Sequence, residues 1–305
     1  MINSVHEIFF DLHGRLRSGW RFAAFLFSFF ALSLPAQVLV FSLVGQQRTM
    51  LLVVVSSTIS SVISIGLGWI CGKIFDGVPP KALGISPTKG WLKDLWFGIL
   101  FGFLTLLGAV LISLTLGGLR LDMRQSFDLQ ALGAVAIFFG IFFVAALSEE
   151  VLFRGYIFQT FCRSNLTWFG ILSSSVLFAS AHNMNPNASW LSFLNTFVAG
   201  VWLCAAYLKT RNLWFPLGIH VAWNWFQGSF FGINVSGLDE FSASSVFIVA
   251  EKGIDWVVGG SYGLEGGIAC TLSLIISIFA IYFLPFPKAD EELLRLSTKE
   301  SVFSE

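Results

Sequence analysis

Glu149 and Glu150 are adjacent carboxylates in an otherwise apolar stretch, residues 131–161, and Arg154 follows four residues after the second. Two more polar stations occur in similar surroundings: Phe178-Ala-Ser-Ala-His182 and His220-Val-Ala-Trp-Asn224. An ionisable group at bilayer depth costs about 2.5–3.5 kcal/mol on insertion scales, so its presence there calls for a function. Peptide hydrolysis needs a base to activate water, donors for the tetrahedral oxyanion and an acid for the leaving amine. Glu149, a carboxylate in low-dielectric surroundings, suits the base. His182 could orient or polarise the same water, and His220 and Asn224, one helical turn apart, could donate to the oxyanion. A metal version of the site uses His182, His220 and Glu149 around zinc. The His-Glu-x-x-His spacing of common zinc proteases is absent, which favours chemistry without a metal and leaves zinc as the alternative. Ser148 and Ser180 lack the nucleophile-elbow context of a serine hydrolase.

Helical spacing assigns these groups to faces. Glu149 and Glu150 are successive and diverge by about 100°, so they cannot point at one spot. Glu150 and Arg154, four apart, are placed to form an ion pair, which lets Arg154 be buried and leaves Glu149 as the unpaired acid. Phe178 shares a face with His182, and His220 with Asn224. The segments carrying Glu149 and His182 are joined by a turn near residues 163–166, from which both residues are equally distant. They should therefore lie level, about 20–25 Å along each helix. Structural readings stand beside these: His182, or His220 with Asn224, as hydrogen bonds between helices, and Glu265 as a solvated helix end.

These positions have to be held by a membrane protein. The chain has 305 residues, 55% hydrophobic and 12% charged, with 34 Phe and 11 Trp. A soluble domain carries about twice that charged fraction, so the excess apolar surface must face lipid. Zero net charge and the lack of a basic block give no reason to expect nucleic acid. The N-terminus lacks the pattern of a cleavable signal peptide. Cys71, Cys162, Cys204 and Cys270 are scattered through apolar segments and read as buried thiols. His6 and His13 precede the first apolar run and read as solvated.

A spanning helix needs about 20 mainly apolar residues. Eight segments qualify: 22–45, 50–72, 94–118, 131–161, 167–184, 189–208, 213–231 and 263–286. Serines and glycines in the second suit close helix contact. Residues 232–262 read as a long loop of mixed polarity. The expectation is an all-α, polytopic helix bundle in the cell membrane, forming a single domain over 1–305 with a core at about 14–286 and a polar tail at 287–305. With both termini inside, and Arg154 set aside, the inner segments hold 13 lysines and arginines and the outer segments 4. Both termini are thus expected in the cytoplasm.

The sequence resembles the CAAX-protease and bacteriocin-processing family of intramembrane peptidases. The motifs that carry the resemblance are Glu149-Glu150-Val-Leu-Phe-Arg154-Gly155, Phe178-x-x-x-His182 and His220-x-x-x-Asn224. Supporting stretches are Gly14 to Arg21, Asn185-Pro-Asn187, Trp214-Phe-Pro216, Gly259-Gly260 and Glu265-Gly266-Gly267, so the likeness runs from about residue 14 to 286. The resemblance implies an eight-helix fold with the active site in a cavity between helices. It implies that Glu149 and His182 activate water, that His220 and Asn224 stabilise the oxyanion, and that Glu150, Arg154 and Phe178 support the site. Members are described both as metalloproteases and as glutamate peptidases. The implied partner is a peptide or membrane-protein substrate, lipidated in one branch of the family, together with the lipid bilayer. Two other functions fit the same residues: a non-catalytic scaffold or bacteriocin-immunity protein of this fold, and a proton-coupled transporter. Inverted repeats and paired broken helices, the marks of the transporter, are not evident.

Overall fold

Backbone polar groups have no water to bond in a bilayer, so long apolar runs satisfy them internally as helices. The computed structural model describes residues 2–11, 14–45, 49–126 and 128–298; His13 lies outside them. The helices are α1 (Ile2–Phe9), α2 (Ser18–Val44), α3 (Thr49–Cys71), α4 (Trp91–Leu116), α5 (Leu129–Glu150), α6 (Phe158–Arg163), α7 (Thr167–His182), α8 (Trp190–Thr210), α9 (Trp214–Trp225), α10 (Asp255–Val258), α11 (Ile268–Phe283) and α12 (Glu291–Ser297). Among the described residues, five helices are long and apolar enough to cross a membrane: Ser18–Val44, Met50–Asp76, Trp91–Leu116, Leu129–Arg163 and Trp190–Thr210.

All eight expected segments are helical, but three are shorter than a full span. Helix α7 has 16 residues and ends at His182, α9 has 12 and continues as a π-helical turn to Phe230, and α11 has 16. The last expected segment is shortened because a 3-10 turn at Leu264–Gly266 occupies its first residues. The fourth segment is not one regular helix. A π-helical stretch, Val151–Ile157, follows α5 and kinks at Gly155.

Residues 232–262 are not an open loop. Strand β2 (Phe247–Glu251) pairs antiparallel with β1 (Arg120–Met123), with Asp122 opposite Ile248 and an irregularity after Arg120. Arg124 anchors this ribbon by donating from Nε to the Ser245 carbonyl at 2.7 Å. The polar tail also docks. In α12, Leu293 is buried and Glu292 pairs with Lys81.

The two ends of the bundle differ. One holds both described termini and a buried network in which Asp76 accepts from Arg21 at 2.6 Å and lies 3.4 Å from Arg163. The other carries the β ribbon and residues 231–267. Between them, α4 and α9 cross at backbone contact. A Cβ on Gly98 would sit 2.4 Å from the Phe215 carbonyl oxygen, one on Gly218 2.2 Å from that of Leu95, and one on Gly102 2.4 Å from that of Ile219. Small residues at such crossings let helices approach closely, and this one sets His220, the next residue after Ile219. Phe215, Ile219, Trp202 and Leu274 fill the core around the crossing, whereas Phe27, Val38, Leu43 and Phe279 are exposed, as lipid-facing residues must be. Cys71, Cys162, Cys204 and Cys270 are free and buried. His6 is exposed and stacks on Phe10 at 4.7 Å.

Candidate active site

Glu149 and Glu150 close α5, His182 closes α7, and His220 and Asn224 lie on α9. The level expected for Glu149 and His182 is found: Glu149 Oε2 is 3.8 Å from His182 Nε2. The same oxygen is 3.7 Å from His220 Nε2 and has no hydrogen-bond partner among the described residues. Glu149 Oε2 is itself buried and faces two imidazole nitrogens across gaps too long for direct hydrogen bonds.

Both rings are held from behind. His182 Nδ1 lies 2.8 Å from the Phe178 carbonyl oxygen. A carbonyl only accepts, so Nδ1 carries the proton and a neutral His182 presents a lone pair at Nε2. His220 Nδ1 lies 2.8 Å from Glu150 Oε1, to which it donates. Glu150 and Glu149 diverge as their spacing requires, yet both reach His220, because the ring sits between them and offers one nitrogen to each. Glu150 therefore has a partner that the helical spacing did not reveal, in addition to Arg154, whose Nη1 is 3.2 Å from the same Oε1. Glu150 and Arg154 are fully buried. The guanidinium also stacks over Phe178, 4.4 Å from its centroid, and donates to the Gly200 carbonyl at 3.4 Å. Phe178 in turn contacts His182 and His220 at centroid distances of 4.7 and 5.9 Å.

The Asn224 side chain makes no hydrogen bond among the described residues and lines two cavities. The larger, about 420 Å³, is walled by Ser57, Ser148, Glu149, His182, Asn185 and Leu238, among others. The smaller has about 50 Å³ of room beside His182, His220, Asn224 and Glu265, and one water needs roughly 10–15 Å³. Ser148 is a wall residue whose hydroxyl bonds the Ala145 carbonyl.

Glu265 corrects a reading of the sequence. It is not a solvated helix end. Its carboxylate accepts from Trp223 Nε1 at 3.2 Å, Gln227 Nε2 at 3.1 Å and the Ser236 backbone N–H at 2.8 Å. The polar tip is turned inward because three donors from α9, the following π turn and the loop converge on it. The Glu265-Gly266-Gly267 run was the available signal. Gly267 has no room for a side chain, since a Cβ there would meet the Val257 carbonyl oxygen at 2.1 Å.

His182, His220 and Glu149 are donor types that zinc accepts, and both imidazoles have the anchored Nδ1 common in ligating histidines. Among the described residues, however, no group of three or more His, Cys, Asp or Glu is close enough together to hold a metal ion.

Comparison with known proteins matches residues 131–226 to the family described as type II CAAX prenyl endopeptidase Rce1-like. That stretch contains all three motifs. The UPF0177 protein YvdC of Lactococcus lactis is 31% identical over 100 residues, 32% of this chain and 36% of its own length. An uncharacterized 24.3 kDa protein of Escherichia coli is 34% identical over 84 residues, 27% of this chain and 37% of its own. The matches thus span little more than a third of these curated relatives. No solved structure matches.

Proposed function

We propose that this chain, which carries the Rce1-like type II CAAX prenyl endopeptidase signature over residues 131–226, is an intramembrane endopeptidase of the cell membrane. The observation that carries the reading is the Glu149 carboxylate, which faces two anchored imidazoles beside an open cavity.

Water held between Glu149 Oε2 and His182 Nε2 gives one proton to Glu149 as its oxygen forms a bond to the carbonyl carbon. His182 Nε2, an acceptor in the neutral tautomer, aligns the second hydrogen. The carbonyl π pair moves onto oxygen, and the oxyanion receives hydrogen bonds from the Asn224 amide and from His220 Nε2–H. His220 donates there only as the imidazolium, with Glu150 as the counter-charge at Nδ1. Collapse of the intermediate breaks the C–N bond, and Glu149 returns its proton to the leaving amine. Atoms balance without a cofactor.

The test compares membrane-protein termini in cells carrying the wild-type chain with cells carrying Glu149→Gln. New termini should appear only with wild type, and Glu149→Gln protein should remain inserted and folded. Identical termini in both would leave the scaffold or immunity reading in its place. Any activity found should persist in chelator; loss in chelator with recovery on added zinc would transfer Glu149, His182 and His220 to the metal reading.

A further inference from the structure

We infer that the site opens to the non-cytoplasmic face of the membrane and takes a peptide segment presented there, not a cytoplasmic lipidated C-terminus. The inference rests on the peptidase reading of the site.

Depth comes first. His182 is the last residue of α7 and Glu149 lies 14 residues before Arg163, so both sit about 21–22 Å from the turn that joins their segments. On α9, His220 and Asn224 lie 6 and 10 residues beyond Trp214, about 9 and 15 Å from the same end, so the site is held in the middle of the membrane. Access comes second. The site cavity is walled by Val235, Ser236, Leu238 and Phe241 of the ribbon-end loop and by Asn185 of the exposed turn after α7. The cavity at the opposite end, about 620 Å³ and lined by Arg15, Arg17, Arg21 and Arg163, shares no residue with it. Between the two lie the buried Arg21–Asp76–Arg163 network and Gln159, which donates to the Leu83 carbonyl at 3.1 Å. The path from that end is filled.

Charge then gives the direction. With Arg154 set aside, the described residues place twelve lysines and arginines at the end that holds the termini. The ribbon end has three, Arg120, Arg124 and Lys252. The ribbon end also carries Asp122, Asp128, Asp239, Glu240, Glu251 and Asp255, of which Asp239 and Glu240 adjoin the cavity-lining Leu238 and Phe241. Lysine and arginine excess stays in the cytoplasm, so the end with the termini faces inward and the mouth of the site faces outward. Substrates consistent with this are exported peptides or outward-facing segments of membrane proteins.

The four native cysteines are buried and give a silent background for thiol labelling. Single cysteines are placed in the full chain at Ser57 on the cavity wall, at Asn187 in the turn after α7 and at Lys89 before α4. Intact expressing cells are then treated with a membrane-impermeant maleimide. Ser57→Cys and Asn187→Cys should label in intact cells, and Lys89→Cys only after permeabilisation. The reverse pattern overturns the orientation. Labelling of Asn187→Cys without Ser57→Cys in intact cells overturns the outward opening of the cavity. The Glu149→Gln background should give the same pattern, so the result stands apart from whether the chain hydrolyses peptides.

Discussion

Replacing Arg154 by Met probes the charge arrangement that holds His220. Arg154 and Glu150 are both fully buried, 3.2 Å apart, with the guanidinium 4.4 Å over the Phe178 ring. Breaking a buried pair by removing one partner costs about 3–5 kcal/mol, because the other charge is left uncompensated. The lost stacking adds up to about 2 kcal/mol when such a contact is desolvated. Glu150 still has His220 at 2.8 Å, which places the expected loss near the lower bound, about 3 kcal/mol. Glu150→Gln combined with Arg154→Met removes both charges and keeps an amide oxygen for His220 Nδ1. The double variant should recover about 2 kcal/mol of the loss, a coupling of the size seen between contacting residues. The assay is equilibrium unfolding in mixed micelles titrated with sodium dodecyl sulfate, read for wild type, both single variants and the double. A loss below about 1 kcal/mol for Arg154→Met, or a double variant no more stable than that single, would refute the reasoning.

Glu149→Gln should change stability by less than about 0.5 kcal/mol in the same titration, since Glu149 is 30% exposed with no direct hydrogen bond to lose; a large loss would make it structural. Glu265→Ala strands three donors, each worth about 1–3 kcal/mol when buried and unpaired. Limited proteolysis should then cut within residues 232–262 faster than in wild type, and an unchanged cleavage pattern would remove Glu265 as the loop's anchor. Gly102→Ala forces α9 away from α4 at Ile219, and a 1 Å displacement of a catalytic group can cost about 100-fold in rate. Cleavage should fall by that order while His182→Ala abolishes it, and full activity in Gly102→Ala would mean the crossing does not set His220.

Part of this was readable in the sequence because the physics is local. Apolar runs in lipid must be helical, the i to i+4 spacing paired Glu150 with Arg154, and equal distances from one turn brought Glu149 level with His182. The three motifs marked the residues that the site gathers. Other features came from contacts between elements that no spacing encodes. The position of His220 between two diverging carboxylates depends on how closely α9 approaches α4, which is governed by Gly98, Gly102 and Gly218. The π-helical stretch after Glu150, the pairing of residues 247–251 with 120–123 and the inward turn of Glu265 are likewise tertiary. Composition reports which residues avoid water. Only packing decides which donors surround a carboxylate and how far a helix runs before a neighbouring loop takes its place.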